Sequence, residues 1–353
     1  MKRIVLPSIL ILAALLVCCP AFGQDEGGSS AMVVFRPSVS VGYVGNIGDL
    51  DYNMYTHTFG IGMTTMYDFT YRCYSSLYLD AGLAAGIGDR LAIEASVRWA
   101  PPGNTFHMRE NVIIGGGLYG RSWKATTSWL AVDGNISYAV VKDVSIIKSF
   151  APKVGVRWDR WDIDGTHPYD VTSGWAVPSP TDTMDSYVSI LMPYAGFSLV
   201  LGGLQWGMFG GDLEIDAIGG PLAWGDVHHK AYYNLGIYRR LTMEGSLDRG
   251  YFYEVSLDYN VLTLDFSPKV TGTVGLFGRI AGYNAQGTLD AVRVYAPGVQ
   301  DGPLPYKFDL DRTVYATGIT LAVTFDIYGR PDVIPAPAPA PVIEPKLEPM
   351  SKN

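Results

Sequence analysis

The chain has 353 residues, 26 basic against 34 acidic side chains, a formal charge of −8, and a hydrophobic content of 48% that includes 23 Tyr and 8 Trp. An acidic balance of this kind argues against a nucleic-acid partner, whose phosphates are met by clustered Lys and Arg. The apolar residues are interspersed with 41 Gly and 22 Pro, and beyond the N-terminus they never gather into the roughly 18 to 20 uninterrupted positions that a membrane-spanning helix needs.

Residues 1–23 read as a secretory signal peptide. Met1-Lys2-Arg3 supplies the charged start, residues 4–19 the apolar middle, and Ala21-Phe22-Gly23 a small-residue cleavage site before Gln24. Cys18 and Cys19 raise a lipoprotein signal as a competitor, although Val17 is bulkier than such a site prefers. Cleavage removes Lys2 and Arg3, deepening the formal charge from −8 to −10, and leaves Cys73 as the one cysteine. No intramolecular disulfide can then form, so stability has to come from the strand network.

From residue 31 onward the chain offers about ten strand-like runs, the number expected of a small barrel. The first covers residues 33–44, with Pro37 where no ladder donor is needed. A second ends near Leu83, and Gly86 to Arg90 makes a compact turn. The third alternates cleanly, Leu91, Ile93, Ala95, Val97 and Trp99 against Ala92, Glu94, Ser96 and Arg98. Residues 101–124 read as a long Gly-rich connection, after which strands are expected over 129–141 and 153–163, then a polar connection over 164–186, and strands over 187–201 and 205–218. Residues 219–247 form another connection.

The clearest hairpin is 251–282. Tyr251, Tyr253, Val255, Leu257, Tyr259 and Val261 share one face and Glu254, Ser256, Asp258 and Asn260 the other, and a return strand puts Val270, Val274, Leu276 and Ile280 opposite Thr271, Thr273, Gly275 and Arg279. After a loop over 283–311, a last strand alternates Tyr315, Thr317, Ile319, Leu321, Val323 and Phe325 with Ala316, Gly318, Thr320, Ala322 and Thr324. Period two alone does not distinguish a lipid-facing wall from a soluble sandwich. The alternation of long and short connections does, because up-and-down outer-membrane barrels have short periplasmic turns and long external loops. The expectation is an all-β, closed, antiparallel, up-and-down transmembrane β-barrel over residues 24–330, in the outer membrane of a Gram-negative-type envelope.

Residues 331–353, opening with Pro and Ala in alternation, read as a periplasmic tail that in an extended polyproline II form would reach on the order of 70 Å. All five histidines, His57, His107, His167, His228 and His229, fall in expected external loops. No spacing beyond His228-His229 suggests a metal site, and no phosphate-binding loop, Ser-His-Asp signature or Cys motif is present, so neither metal nor cofactor is expected.

Met192-Pro193-Tyr194-Ala195-Gly196, Trp224-Gly225-Asp226-Val227-His228, Tyr251-Phe252-Tyr253 and Tyr315-Ala316-Thr317-Gly318, set in ten strands, resemble the omptins, outer-membrane proteases with ten-stranded barrels. The resemblance runs thinly over residues 31–327. It implies that Asp226 and His228 are the pair that polarises the attacking water, a carboxylate fixing the imidazole tautomer while the ring accepts a proton. The family's second acidic pair has no counterpart in 101–124, where Glu110 is the only acid, and the acid preceding the Asp-x-His falls at Trp224. Asp49, Asp51, Asp162 and Asp164 are candidates for a relocated pair. The resemblance also implies lipopolysaccharide binding by Arg160, within Arg157-Trp158-Asp159-Arg160-Trp161; the alternative is that Trp158 and Trp161 belong to an interfacial belt with Arg160 snorkelling between them.

Three functions are compatible with this reading. The first is a non-catalytic barrel, expected to be a monomer, that binds outer-membrane lipid, lipopolysaccharide or another surface ligand. The second is an omptin-like endopeptidase acting on peptide or protein substrates through Asp226 and His228. The third is a narrow pore, which lumen-facing Glu94, Arg98, Glu254, Asp258 and Arg279 would obstruct.

Overall fold

The computed structural model describes residues 33–57, 64–88, 90–114, 117–172, 181–206, 209–232, 239–267 and 269–328. The expected signal peptide and Pro/Ala tail lie outside these. Among the described residues there are twelve strands: β1 Val33–His57, β2 Thr64–Ile87, β3 Leu91–Ile114, β4 Gly117–Tyr138, β5 Val141–Val144, β6 Ile147–Thr172, β7 Thr183–Trp206, β8 Phe209–Pro221, β9 Trp224–Tyr232, β10 Arg240–Ser267, β11 Val270–Ala296 and β12 Val299–Tyr328. β5 is a short spur on β6, and β8 and β9 are two halves of one wall strand, both paired with β7 and β10. The wall thus has ten members, each antiparallel to its neighbours. β1 pairs with β12 and β6 with both β4 and β7, so the ring closes without a free edge.

Two solvents shape each strand. Toward the end that carries the termini, the outward face is apolar: Val39, Val41 and Tyr43 on β1, Ile136 and Tyr138 on β4, Val154 and Val156 on β6, Tyr253, Val255 and Leu257 on β10, and Ile319 and Leu321 on β12 are all exposed. Such a belt meets hydrocarbon rather than water. Farther along the same strands the pattern inverts. On β12 the outward residues become Asp309 and Asp311 while Phe308 and Leu310 turn inward and are buried; on β6 the change falls between Trp158 and Arg160. The barrel therefore has a lipid-facing half with a polar lumen and a water-facing head with an apolar core of Trp123, Met184, Val227, Leu241, Met243 and Leu289.

Several of the register irregularities lie where the two halves meet. They fall between Gly45 and Asp49, Ser75 and Leu79, Ala100 and Gly103, and Leu247 and Arg249, and β8 gives way to β9 at Leu222-Ala223. An extra residue turns a strand by one position and re-aims the side chains that follow. On β10 it switches the buried set from Leu241, Met243 and Leu247 to Phe252, Glu254 and Ser256.

The stretches expected as long external connections are largely strand. Residues 101–124 continue β3 and begin β4, 219–247 contain β9 and the start of β10, and 283–311 carry β11 through to the two-residue turn at 297–298 before β12. The reason is the inversion: a search for apolar-outward alternation loses the strand at the level where water replaces lipid, although the backbone ladder continues.

Candidate functional site

β9 alternates Gly225, Val227, His229 and Ala231, which are buried, with Trp224, Asp226, His228, Lys230 and Tyr232, which face out. Asp226 and His228 therefore sit on the outer wall just beyond the belt, whose rim here is Trp224, 50% exposed. Pairing with β7 sets Tyr187 opposite His228, and pairing with β10 sets Glu244 on the other side of it. β6 adds Arg160 and Asp162 beyond Tyr187.

These side chains form one continuous surface. The Tyr187 hydroxyl donates to Asp226 Oδ2 at 3.0 Å. The His228 ring stacks on the Tyr187 ring, centroids 5.3 Å apart and planes 17° from parallel, and its Nδ1 lies 3.1 Å from Glu244 Oε1. Arg160 lays its guanidinium 4.1 Å above the Tyr187 ring and holds Asp162 through Nε and Nη2, at 2.9 and 2.7 Å to Oδ1. Trp158, one outward position closer to the belt, donates from Nε1 to Ser189 Oγ at 2.8 Å. Partial burial and the bond to Asp226 raise the Tyr187 phenol above its usual pKa, so it stays a donor.

Arg160, Asp226 and His228, which sequence reading assigned to two separate sites, thus come together around Tyr187. The sequence reading missed Tyr187 and Glu244. The outward placement of the Asp-x-His was readable in the alternation of β9, whose other face carries Gly225, Val227 and Ala231 beside His229. The contact with Tyr187 depends on cross-strand register and has no local signal. The carboxylate that orients His228 is Glu244, whereas Asp226 is engaged by Tyr187. Trp161 is fully buried and turned inward, its ring edge-on to Tyr283 at 5.0 Å, so it is not a belt residue; Trp158 does face outward.

Of the candidates for a relocated acid pair, Asp162 and Asp164 face outward on β6, while the side chains at Asp49, Asp51 and Glu110 lie outside the described residues. His229 points into the head and is fully buried; burial, with His228 adding to it, holds its pKa down to about 3, so the ring is neutral. The side chains of His57, His107 and His167 lie outside the described residues. Among the described residues no cluster of three or more His, Cys, Asp or Glu is arranged to hold a metal ion.

The lumen of the lipid-facing half is closed by paired charges. Arg98 reaches both oxygens of Glu254, at 2.9 and 2.8 Å, and Arg157 bonds the same carboxylate, Asp159 at 2.7 Å and the Tyr283 hydroxyl at 2.6 Å. Arg279 takes Asp80 and the Tyr78 hydroxyl, at 2.5 and 2.8 Å. Tyr78, Trp129 and Phe252, all buried, fill the space around them.

No protein-family model matches the chain, and no curated protein does. Among solved structures, the outer membrane protease OmpT of Escherichia coli overlays with a TM-score of 0.60 at 12% identity, covering 86% of this chain and 99% of that one. The outer membrane protein OprG of Pseudomonas aeruginosa aligns at 12% identity over 84% of this chain and 99% of that one, but its TM-score of 0.30 is too low to carry weight. The likeness to OmpT is one of fold: the chain is a closed barrel of the outer-membrane type.

Proposed function

We propose that this outer-membrane barrel is a non-catalytic surface protein that binds an anionic envelope ligand, of the lipopolysaccharide type, on the outer wall around Arg160. The observation that carries this reading is the Arg160–Tyr187–His228 stack, which lies directly beyond the Trp158 and Trp224 rim. At that level lipid phosphates meet the wall, and Arg160, braced on the Tyr187 ring, takes a phosphate in exchange for its contact with Asp162, with Lys230 on the same outward face of β9 as a second cation. The apolar filling of the head supports the same reading, since it leaves the described interior packed with side chains rather than shaped as a groove for a peptide.

The test is titration of the detergent-solubilised protein with lipopolysaccharide and with its dephosphorylated form. Binding should require the phosphates and weaken about tenfold in Arg160→Ala, the loss of one charge-assisted contact. Equal binding of both forms, or binding unchanged in Arg160→Ala, would refute the proposal.

One contact supports a second reading, a surface endopeptidase. Glu244 holds His228 Nδ1 at 3.1 Å, leaving Nε2 to accept a proton from water, with Asp226 two positions away. Incubation with a mixed peptide library separates the two. The binding reading expects no cleavage; cleavage abolished by His228→Ala would establish the peptidase instead.

A further inference from the structure

The outer-wall patch is short of positive charge for the ligand assigned to it. Around His228, β9 itself brings Asp226 and Lys230, β7 brings Tyr187 and Asp185, β10 brings Glu244, and β6, beyond β7, brings Arg160, Asp162 and Asp164. Among the described residues, five carboxylates thus surround two permanent cations. Arg160 is held by Asp162 at 2.7 Å, and Lys230 lies opposite Asp185 with its Nζ 5.0 Å from the Tyr232 ring. An incoming phosphate meets a surface that is negative overall at neutral pH. Within this group of side chains, His228 is the one that can add a positive charge on mild acidification.

The contacts of the ring fix what a proton does there. Glu244 Oε1 lies 3.1 Å from Nδ1 and accepts the hydrogen on it, which sets the neutral ring in its Nδ1–H tautomer. The ring is stacked on Tyr187, whose hydroxyl is turned to Asp226 at 3.0 Å, and the Arg160 guanidinium lies 4.1 Å over that same Tyr187 ring. Nε2 has no hydrogen-bond partner among the described residues, and the His228 side chain is 21% exposed. In the neutral ring Nε2 carries a lone pair, which repels a phosphate oxygen. In the imidazolium it is an N–H, which donates to one. One proton therefore changes both the charge and the hydrogen-bonding sense of the open atom on the ring that shares Tyr187 with Arg160.

Resting on the reading of this patch as an anion site, we propose that protonated His228 is a further phosphate-binding cation of the site, so that the ligand is taken up together with a proton. The phosphate is shared by Arg160 and the imidazolium, while Glu244 stabilises the added charge through Nδ1. By linkage, the factor by which protonation tightens ligand binding equals the factor by which the ligand favours protonation. A surface whose acids turn phosphate away above neutrality thereby becomes receptive in mild acid.

The test is calorimetric titration of the detergent-solubilised barrel with lipopolysaccharide at about pH 5.5 and about pH 8, values that bracket the range in which imidazoles titrate. The parent should bind about tenfold more tightly at the lower pH, the worth of one charge-assisted contact. Near neutrality, buffers of different ionisation enthalpy should report net proton uptake on binding. His228→Gln should lose the gain at low pH, and His228→Lys should bind tightly at both values, opposite outcomes that a loss of fold would not give. Titration of the ligand's own phosphates is common to all three proteins. Binding that needs the phosphates and Arg160 but is flat in pH, or a gain of the same size in His228→Gln, would overturn this proposal and leave the Arg160 site standing. No binding, or binding indifferent to the phosphates and to Arg160→Ala, would remove both.

Discussion

Glu254 is the residue on which the lumen's charge pairing converges. Its carboxylate accepts from Arg98 and Arg157, which reach it from β3 and β6 on other parts of the wall. Breaking a buried pair by removing one partner strands the other charge, so Glu254→Gln should destabilise the barrel by about 3 kcal/mol, read as a lowered urea midpoint in detergent. His229 is a different case, since it lies in the head beyond the Trp224 rim. Its ring is held neutral down to about pH 3, whereas the unfolded chain protonates near 6.5. Below 6.5 the unfolded state binds the extra proton, so this contribution is full above pH 6.5 and is lost on acidification toward 3, by about 1.4 kcal/mol per pH unit. His229→Leu should flatten that stretch of the stability profile, and a profile unchanged by the substitution would refute the assignment.

At the scale of elements, closure of the ring depends on the β1–β12 seam. Gly42 and Gly318 face each other across it, and a Cβ on either would run into the opposite backbone, the Thr317 carbonyl for Gly42 and the Val41 carbonyl for Gly318. The aromatic filling comes up against the seam, as Phe277 would also meet a Cβ on Gly318. Gly318→Val should therefore leave β-structure content near normal while weakening closure, seen as greater protease sensitivity and a lower unfolding midpoint, by about 1–3 kcal/mol as for overpacked cores. The strands themselves were legible: the outward series Tyr253, Val255, Leu257 and the inward series Glu254, Ser256 hold in the structure as alternation implied. Their lengths were not. Residues 283–291 place buried Tyr283, Ala285, Leu289 and Ala291 at odd positions, with half-buried Gly287 between them, but with the apolar set facing in, so the same rule applied with a fixed polarity hides them.

At the scale of the whole molecule, the described residues fill the cylinder at two levels, with ion pairs in the lipid-facing half and an apolar core in the head. Reconstituted into planar bilayers, the protein should show no steady conductance, and a stable open level in the parent protein would contradict the filled lumen. The sequence by itself determined which side chains share a face and where the apolar-outward runs lie: period two and the lack of helical runs are local properties of the chain, and together with the alternation of long and short connections they pointed to an outer-membrane barrel of about ten strands. It also supplied Arg160, Asp226 and His228 as notable side chains. Only the tertiary structure decided that these three share one patch on the outside of the wall, that Glu244 rather than Asp226 orients the imidazole, and that the head is filled. Register, bulges and ring closure bring together residues up to 84 positions apart on four strands, and alternation carries no information about which neighbour lies across the ladder.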